Sequence, residues 1–347
     1  MTEIFVTNFN PRFTGVSATT AGVLRAQLAR GLDATLVGNP LPGCPAPISA
    51  RAAMRASVRP VDRPFAIWHV RRNPEMRIGL WARDVLRKPI RLVFTSAAQR
   101  HHSLYPRWLI SRMDAVIATT EEAARYVPHV RAVVPHGIDT ARFCPAPDRA
   151  AVWKDLGFGG KVGVATVGRI RPEKGTDRFV DAMIAALPGL PGVVALVVGR
   201  ATPEHRRFET DLHARVAEAG LTDRIKFTGE RPPDDLPALM RGISLLVALP
   251  RYEGYGMTPL EAMASGTPFV ATDAGYYRAF SQEGRCGTVL ECDAPQTAAD
   301  AVAALLSDPA RLSVMAHAAR QAAQDQHSID TEAAGAAAVY DALWQRG

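Results

Sequence analysis

The sequence predicts an α/β protein of two Rossmann-like domains, each a parallel sheet covered by helices on both faces. Three observations predict it. Short apolar runs alternate with helix-patterned stretches along the whole chain. The runs are continuously apolar, as strands buried on both faces require. The 347 residues also exceed one ordinary core.

The elements follow in order. EIFVTN, DATLVG, FAIWHV, IRLVFTS, AVIATT and RAVVPHG read as strands in the first half. VSATTAGVLRAQLARG and PEMRIGLWARDVLRK read as helices between them. In the second half KVGVATVG, GVVALVVG, RIKFTG, ISLLVALP and TPFVATD read as strands. TDRFVDAMIAALP, PEHRRFETDLHARVAEAG and TPLEAMASG read as helices, and an Ala-rich helical tail follows Pro309. The CPAPD segment, with Pro145 and Pro147, suits a linker between the halves.

Composition narrows the function classes. Apolar residues make up 47% and charged residues 22%, as in a water-soluble globular protein. No apolar run approaches the roughly 20 residues that span a bilayer. MTEIFVTNFNPRFTG lacks a basic segment followed by an apolar one, so no signal peptide is expected. Cys44, Cys144, Cys286 and Cys292 are scattered without a CxxC, which suits free or structural thiols in a reducing cytoplasm. Residues 1–144 hold 20 Lys+Arg against 9 Asp+Glu, and the remainder 21 against 25. The basic first half suits an acidic substrate, an anionic membrane surface or nucleic acid. Nucleic acid fits poorly: aromatics are only 7%, and single-strand binding needs aromatic stacking among the basic groups. In residues 50–59, Arg51, Arg55 and Arg59 form one basic stripe if the segment is helical, suited to an anionic membrane or simply to solvent.

Open parallel sheets bind ligands at the carboxyl ends of their strands, so the loops leaving strands are where chemistry is sought. After EIFVTN, Gly15 permits close backbone approach, and a helix beginning near Ser17 points its N-terminus at the same place. After KVGVATV, the stretch GRIRPEKGTDRF brings Arg169, Arg171 and Lys174 to a strand exit, with Thr176 placed to cap the next helix. Such cations before a helix N-terminus suit a diphosphate. After ISLLVALP comes RYEGYGMTPLEAMASG. Thr258-Pro-Leu-Glu261 reads as a capping box, which would occupy Glu261 without any ligand. Gly254 and Gly256 let backbone N–H groups face a ligand, and Glu253 suits sugar or ribose hydroxyls. In the basic half, His69, Arg71 and Arg72 in WHVRRN, and Arg100, His101 and His102 in TSAAQRHH, follow strands and suit acid–base or carboxylate-binding work. Adjacent histidines without further spaced ligands do not make a metal site. No DxD-like acidic cluster follows a strand, so no metal is expected.

EGYGMTPLEAMASG resembles the E-x7-E signature of family 4 retaining glycosyltransferases of the GT-B fold. PHGIDTARF and GRIRPEKGTDRFVDAM resemble their other motifs, in the same order. RPFAIWHVRRNPEM, LVFTSAAQRHH and RMDAVIATT resemble a narrower group, the lipopolysaccharide core mannosyltransferases of alpha-proteobacteria. That group uses GDP-mannose and modifies the Kdo of a lipid A precursor. The resemblance implies sheets facing across a cleft, with an acceptor domain at 1–144, a donor domain at 145–325 and a helix at 326–347 crossing back to the first. It implies that Arg169 and Lys174 hold the donor diphosphate, that Glu253 lies near the donor sugar and that Glu261 takes the ribose hydroxyls. Gly254, Tyr255 and Gly256 would contact the sugar through their backbone, and Met257 and Thr258 would face the donor at its phosphates. Gly15 would close over the donor, and Glu230 and Arg231 would meet its base. Thr95-Ser96-Ala97 stands where many relatives carry a histidine, and Arg71 breaks an HxH-like pattern at His69. This leaves Arg71, Arg72 and Arg100, with His69 and His102, to bind acceptor carboxylates. The expected partners are a nucleotide sugar and an anionic glycolipid at the cytoplasmic face of the inner membrane, with no nucleic acid and no metal. The same fold acting with UDP-glucose or another donor on a different acceptor is the alternative, and a non-catalytic sugar-nucleotide or nucleic-acid binder is the alternative of a different class.

Overall fold

The computed structural model describes residues 2–291 and 294–346; Cys292 lies outside them. Among the described residues the chain forms two compact units, Met1–Ile138 with His327–Gly347, and Asp139–Gln326. The division falls between Ile138 and Asp139, ahead of the expected Cys144. CPAPD lies inside the second unit, where the Asp148 carboxylate accepts from Ala151 N and caps a helix. CPAPD is therefore part of a helix start rather than a free linker.

In the first unit the strands are β1 (Ile4–Asn8), β2 (Ala34–Gly38), β3 (Ala66–Val70), β4 (Ile90–Ser96), β5 (Ala115–Ala118) and β6 (Val130–Val133). Its helices are α1 (Gly15–Ala29), α2 (Ala50–Ala56), α3 (Asn73–Leu80), α4 (Leu104–Ser111) and α5 (Glu121–Ala124). The second unit holds α6 (Arg149–Asp155), β7 (Val162–Val167), α7 (Thr176–Ala186), β8 (Val193–Val198), α8 (Arg206–Glu218) and β9 (Ile225–Gly229). It continues through α9 (Leu236–Gly242), β10 (Leu245–Ala248), α10 (Met257–Ala264), β11 (Phe269–Thr272), α11 (Tyr277–Ser281), β12 (Gly287–Leu290), α12 (Pro295–Leu306) and α13 (Pro309–Gln326). The last helix, α14 (Ile329–Trp344), belongs to the first unit.

All strand pairs are parallel. The first sheet runs β2-β1-β3-β4-β5-β6 and the second β12-β11-β10-β7-β8-β9. Every residue of β1, β3, β5, β8, β10 and β11 is buried. Helices on both faces explain the unbroken apolar runs of these strands. The order reverses between β1 and β3 in one sheet and between β7 and β10 in the other. Those reversals open the crevices where ligands of doubly wound folds sit.

In the first unit α14 closes one face, packing Tyr340, Leu343 and Trp344 with Ile4, Leu24 and Ile67. Trp344 Nε1 donates to Phe65 O at 2.9 Å, which satisfies the indole N–H where it is buried. In the second unit Phe179 and Met183 of α7 and Val302 of α12 pack with Val164, Val197 and Val247. The Arg51–Arg55–Arg59 stripe does not form, because α2 ends at Ala56 and leaves Arg59 outside the helix.

Candidate functional site

The β7–β10 crevice of the second unit holds a pocket lined by Gly168, Arg169, Lys174, Glu253, Thr258 and Tyr277, among others. Its walls are the loops leaving β7, β10 and β11. Gly175 joins the first two. Its φ is +67°, and a Cβ there would lie 1.7 Å from Leu249 O. Only glycine allows this contact, which seats Lys174 and the start of α7 against the end of β10. Gly175 is thus the residue before α7, and Thr176 is the first helical residue rather than its cap. Arg251 clamps the same two loops. Its guanidinium donates to Asp177 Oδ1 at 2.8 Å and Oδ2 at 2.6 Å, and to Pro172 O. Burial raises the Asp177 pKa, but the Arg251 hydrogen bonds outweigh it and leave the carboxyl below its ordinary value.

The opposite wall is EGYG. Gly256 has φ +94°, and a Cβ there would meet the Tyr277 ring at 2.1 Å. Gly256, not Thr258, precedes α10, and no side chain caps that helix. The expected capping box is therefore absent. Glu261 lies within the helix, half-buried, with no side-chain hydrogen bond among the described residues. Burial of its carboxyl pushes the pKa up to about 8, against a smaller opposing pull from Arg142.

Two helix N-termini meet this pocket, α7 at Thr176, where the Asp177 carboxylate already accepts from the N–H groups of Asp177 and Arg178, and α10 at Thr258. The partial positive charge at their ends favours an anion. Arg169 is exposed at the β7 exit, and Lys174 adds a second cation. Lys174 Nζ lies 2.5 Å from Glu253 Oε2. Glu253 Oε1 accepts from Gly254 N at 3.1 Å, so that N–H faces its neighbour's carboxylate. Tyr255 is 4% exposed and stacks on Tyr276 with centroids 5.2 Å apart, which makes it a supporting core residue. Burial, and then Glu253, hold the Tyr277 pKa well above its ordinary value, so the phenol stays neutral. Tyr277 was missed by the sequence reading; GYY after the strand TPFVATD was the available signal.

Glu230 and Arg231 do not line this pocket. Glu230 pairs with Arg200 at 3.1 Å, and Arg231 lies over Phe158 at 5.3 Å, both on the loop leaving the edge strand β9. Among the described residues no group of three His, Cys, Asp or Glu is placed to hold a metal ion. Cys44, Cys144 and Cys286 are free.

In the first unit Gly15, His69, Arg71 and Arg72 lie at or just after the ends of β1 and β3, Arg100 and His102 follow β4, and two of these six are fully engaged. His69 has Tyr340 Oη at 2.5 Å from Nδ1 and Thr95 Oγ1 at 2.6 Å from Nε2. Burial, then Arg71, hold its pKa far below the ordinary value. Arg72 donates to Asn8 Oδ1, Glu75 Oε1, Thr14 Oγ1 and Ser17 Oγ, all within 3.1 Å. Both side chains are thus held by partners within the first unit. Gly15 is the first residue of α1, two before the expected Ser17, and a Cβ there would touch nothing within 4 Å. Arg71 Nε and Nη1 are buried without a partner, and so is His102 Nε2. Burial, then Arg100, lower the His102 pKa.

Two parallel-sheet units, one with an anion pocket at its strand exits, define the class as a GT-B glycosyltransferase. The chain belongs to the glycosyl transferases group 1 family, whose model matches residues 152–323. It is 42% identical over 344 residues to the lipopolysaccharide core biosynthesis mannosyltransferase LpsB of Rhizobium meliloti (strain 1021), covering 98% of this chain and 97% of that one. It is 39% identical over 341 residues to LpcC, a protein of the same description from Rhizobium leguminosarum bv. viciae, covering 98% and 96%. The fold matches Anabaena Alr3699/HepE, solved in complex with UDP and glucose, at a TM-score of 0.81 and 18% identity over 99% of this chain and 100% of that one.

Proposed function

We propose that this glycosyltransferase moves mannose from GDP-mannose, with retention, onto the Kdo of a lipopolysaccharide core precursor. The observation that carries the reading is the convergence of Arg169, Lys174 and the N-termini of α7 and α10 on one pocket. These groups suit a diphosphate. As the glycosidic bond breaks, charge develops on the departing phosphate, and preorganised cations and N–H dipoles stabilise it. The protein supplies that charge itself, so the reaction runs without a metal. Glu253 aims Lys174, and Glu261 reaches the ribose hydroxyls. Mannose and the core acceptor are favoured by the two rhizobial relatives, which share the whole length of the chain.

The acceptor is a lipid, and the reading places the enzyme at the cytoplasmic face of the inner membrane. Among the described residues no helix is long and apolar enough to cross a membrane. On α4, Leu104 is 82% exposed and Trp108 55%, with Tyr105 stacked on Trp108 and Arg107 between them. Trp108 and Arg107 also line a surface groove with Arg125. Apolar side chains among arginines suit an anionic lipid surface.

A thermal-shift panel of nucleotide sugars, followed by turnover of the best donor with a Kdo-bearing lipid A precursor, tests the proposal. Stabilisation by GDP and GDP-mannose and a mannosylated product are expected. Stabilisation by UDP-sugars alone would move the donor to the alternative reading. Binding without product would make the chain a non-catalytic sugar-nucleotide binder.

A further inference from the structure

Tyr277 lines the anion pocket of the second unit beside Lys174, Glu253 and Thr258. It is the first residue of α11, in the segment that follows β11. Its ring is fixed from two sides. Phe269 packs against it with centroids 6.4 Å apart. Gly256 makes room for it: a Cβ there would lie 2.1 Å from Cε1, 2.8 Å from Cζ and 2.9 Å from Oη. The edge of the ring that carries the hydroxyl therefore rests on the residue directly before α10. Packing alone does not account for the hydroxyl. The residue is 2% exposed, and a phenylalanine would fill the same space. Among the described residues the hydroxyl has no hydrogen-bond partner. Glu253, the carboxylate that acts on the phenol, has one oxygen on Lys174 Nζ and the other on Gly254 N. A hydroxyl buried without a partner is costly, and an acceptor brought by a ligand removes that cost.

We propose that the Tyr277 hydroxyl donates a hydrogen bond to a phosphate oxygen of the bound donor, beside Arg169, Lys174 and the start of α10. The surroundings choose phosphate over a sugar hydroxyl, because the cations and the positive end of α10 line the same pocket. A phosphate oxygen only accepts, so the phenol must keep its proton. Burial first, and then Glu253, hold it protonated. A neutral donor also adds a hydrogen bond without a third cation to compete with Lys174 for Glu253. Charge grows on the phosphate as it leaves the sugar, so this bond is stronger in the transition state than in the bound donor, and its contribution falls on kcat. The inference rests on the reading of the pocket as a nucleoside-diphosphate site and adds a residue that touches the departing group.

The test compares the full chain with Tyr277→Phe, which keeps the ring against Gly256 and Phe269 and removes one oxygen. Inorganic pyrophosphate is the first probe, because it carries neither sugar nor base. Its Kd by calorimetry is expected to rise roughly tenfold in Tyr277→Phe, the scale of one hydrogen bond to a charged group. With GDP-mannose and the Kdo-bearing precursor, kcat is expected to fall at least as far while the acceptor KM and the melting temperature hold. Equal pyrophosphate affinity in the two proteins would overturn the inference, whether the variant then loses thermal stability, as a structural hydroxyl would, or only affinity for GDP-mannose, as a sugar contact would. A wild type that binds pyrophosphate but does not transfer mannose fails the donor or acceptor reading alone, and the comparison of Kd values still decides the role of Tyr277. A wild type that binds no pyrophosphate overturns the inference together with the diphosphate site. If Tyr277→Phe does not fold, a crystal structure of the wild type with pyrophosphate decides. Oη is expected within about 3 Å of a phosphate oxygen, and an Oη bonded only to protein would overturn the inference.

Discussion

Lys174 Nζ and Glu253 Oε2 lie 2.5 Å apart, joining the loops that leave β7 and β10. The pairing puts a cation that the proposed reaction assigns to phosphate in the grip of a carboxylate, so Glu253 sets where Lys174 points.

The two residues should therefore act as a unit. Lys174→Ala is expected to lower kcat by roughly 10²–10³, by comparison with deletion of oxyanion donors. Glu253→Gln, which keeps an acceptor for Gly254 N, should lose part of that. The double variant should be little worse than Lys174→Ala alone. Steady-state kinetics on all four proteins checks it, and strictly additive losses would mean that the pairing has no catalytic role.

Glu261 titrates inside the protein at about 8, above its ordinary 4.5. From about pH 4.5 up to about pH 8 the folded state holds a proton that the unfolded state has lost, so stability falls as pH rises through that window. Glu261→Gln removes this dependence. Its melting temperature should gain on the wild type from pH 5 to about pH 8 and level off above it. Parallel profiles for the two proteins would contradict the assignment.

Arg72 and Arg71 are neighbours with opposite fates. Arg72 ties the fully buried Glu75 to Asn8, Thr14 and Ser17. Arg72→Met should cost roughly 3–5 kcal/mol in urea unfolding, because it strands a buried carboxylate. Arg71→Met removes an unpaired buried charge and should cost little or stabilise. Equal destabilisation by both would refute the division of labour.

The proposed membrane contact is α4. Replacing Leu104 and Trp108 with Ser should weaken sedimentation with anionic vesicles by roughly tenfold, and added salt should weaken the wild type. Equal binding to neutral and anionic vesicles would exclude the charge component.

Much of this was legible in the sequence, for a physical reason. Strands buried on both faces leave unbroken apolar runs, so KVGVATV and ISLLVALP announced β7 and β10, and the polar residues after them announced the pocket. β12 was missed because GTVL is four residues long and begins with glycine. The TPLE pattern imitated a capping box, but the helix begins two residues earlier, after Gly256, which packs against Tyr277. That contact joins loops far apart in sequence, which also hid Tyr277. Nothing in WHVRRN says that Arg72 turns toward β1 and α1 while the guanidinium of Arg71 finds no partner. That difference comes from Glu75, whose oxygens are filled by Thr7, Phe9 and the backbone of the same loop.

The central claim is that Arg169, with Lys174 and two helix N-termini, stabilises a departing nucleoside diphosphate. The most direct measurement is kcat for mannosyl transfer from GDP-mannose to the Kdo-bearing precursor by the wild type and Arg169→Ala. The wild type should turn over, and Arg169→Ala should fall by roughly 10²–10³ at saturating acceptor. Transfer by Arg169→Ala at the wild-type rate would contradict the account.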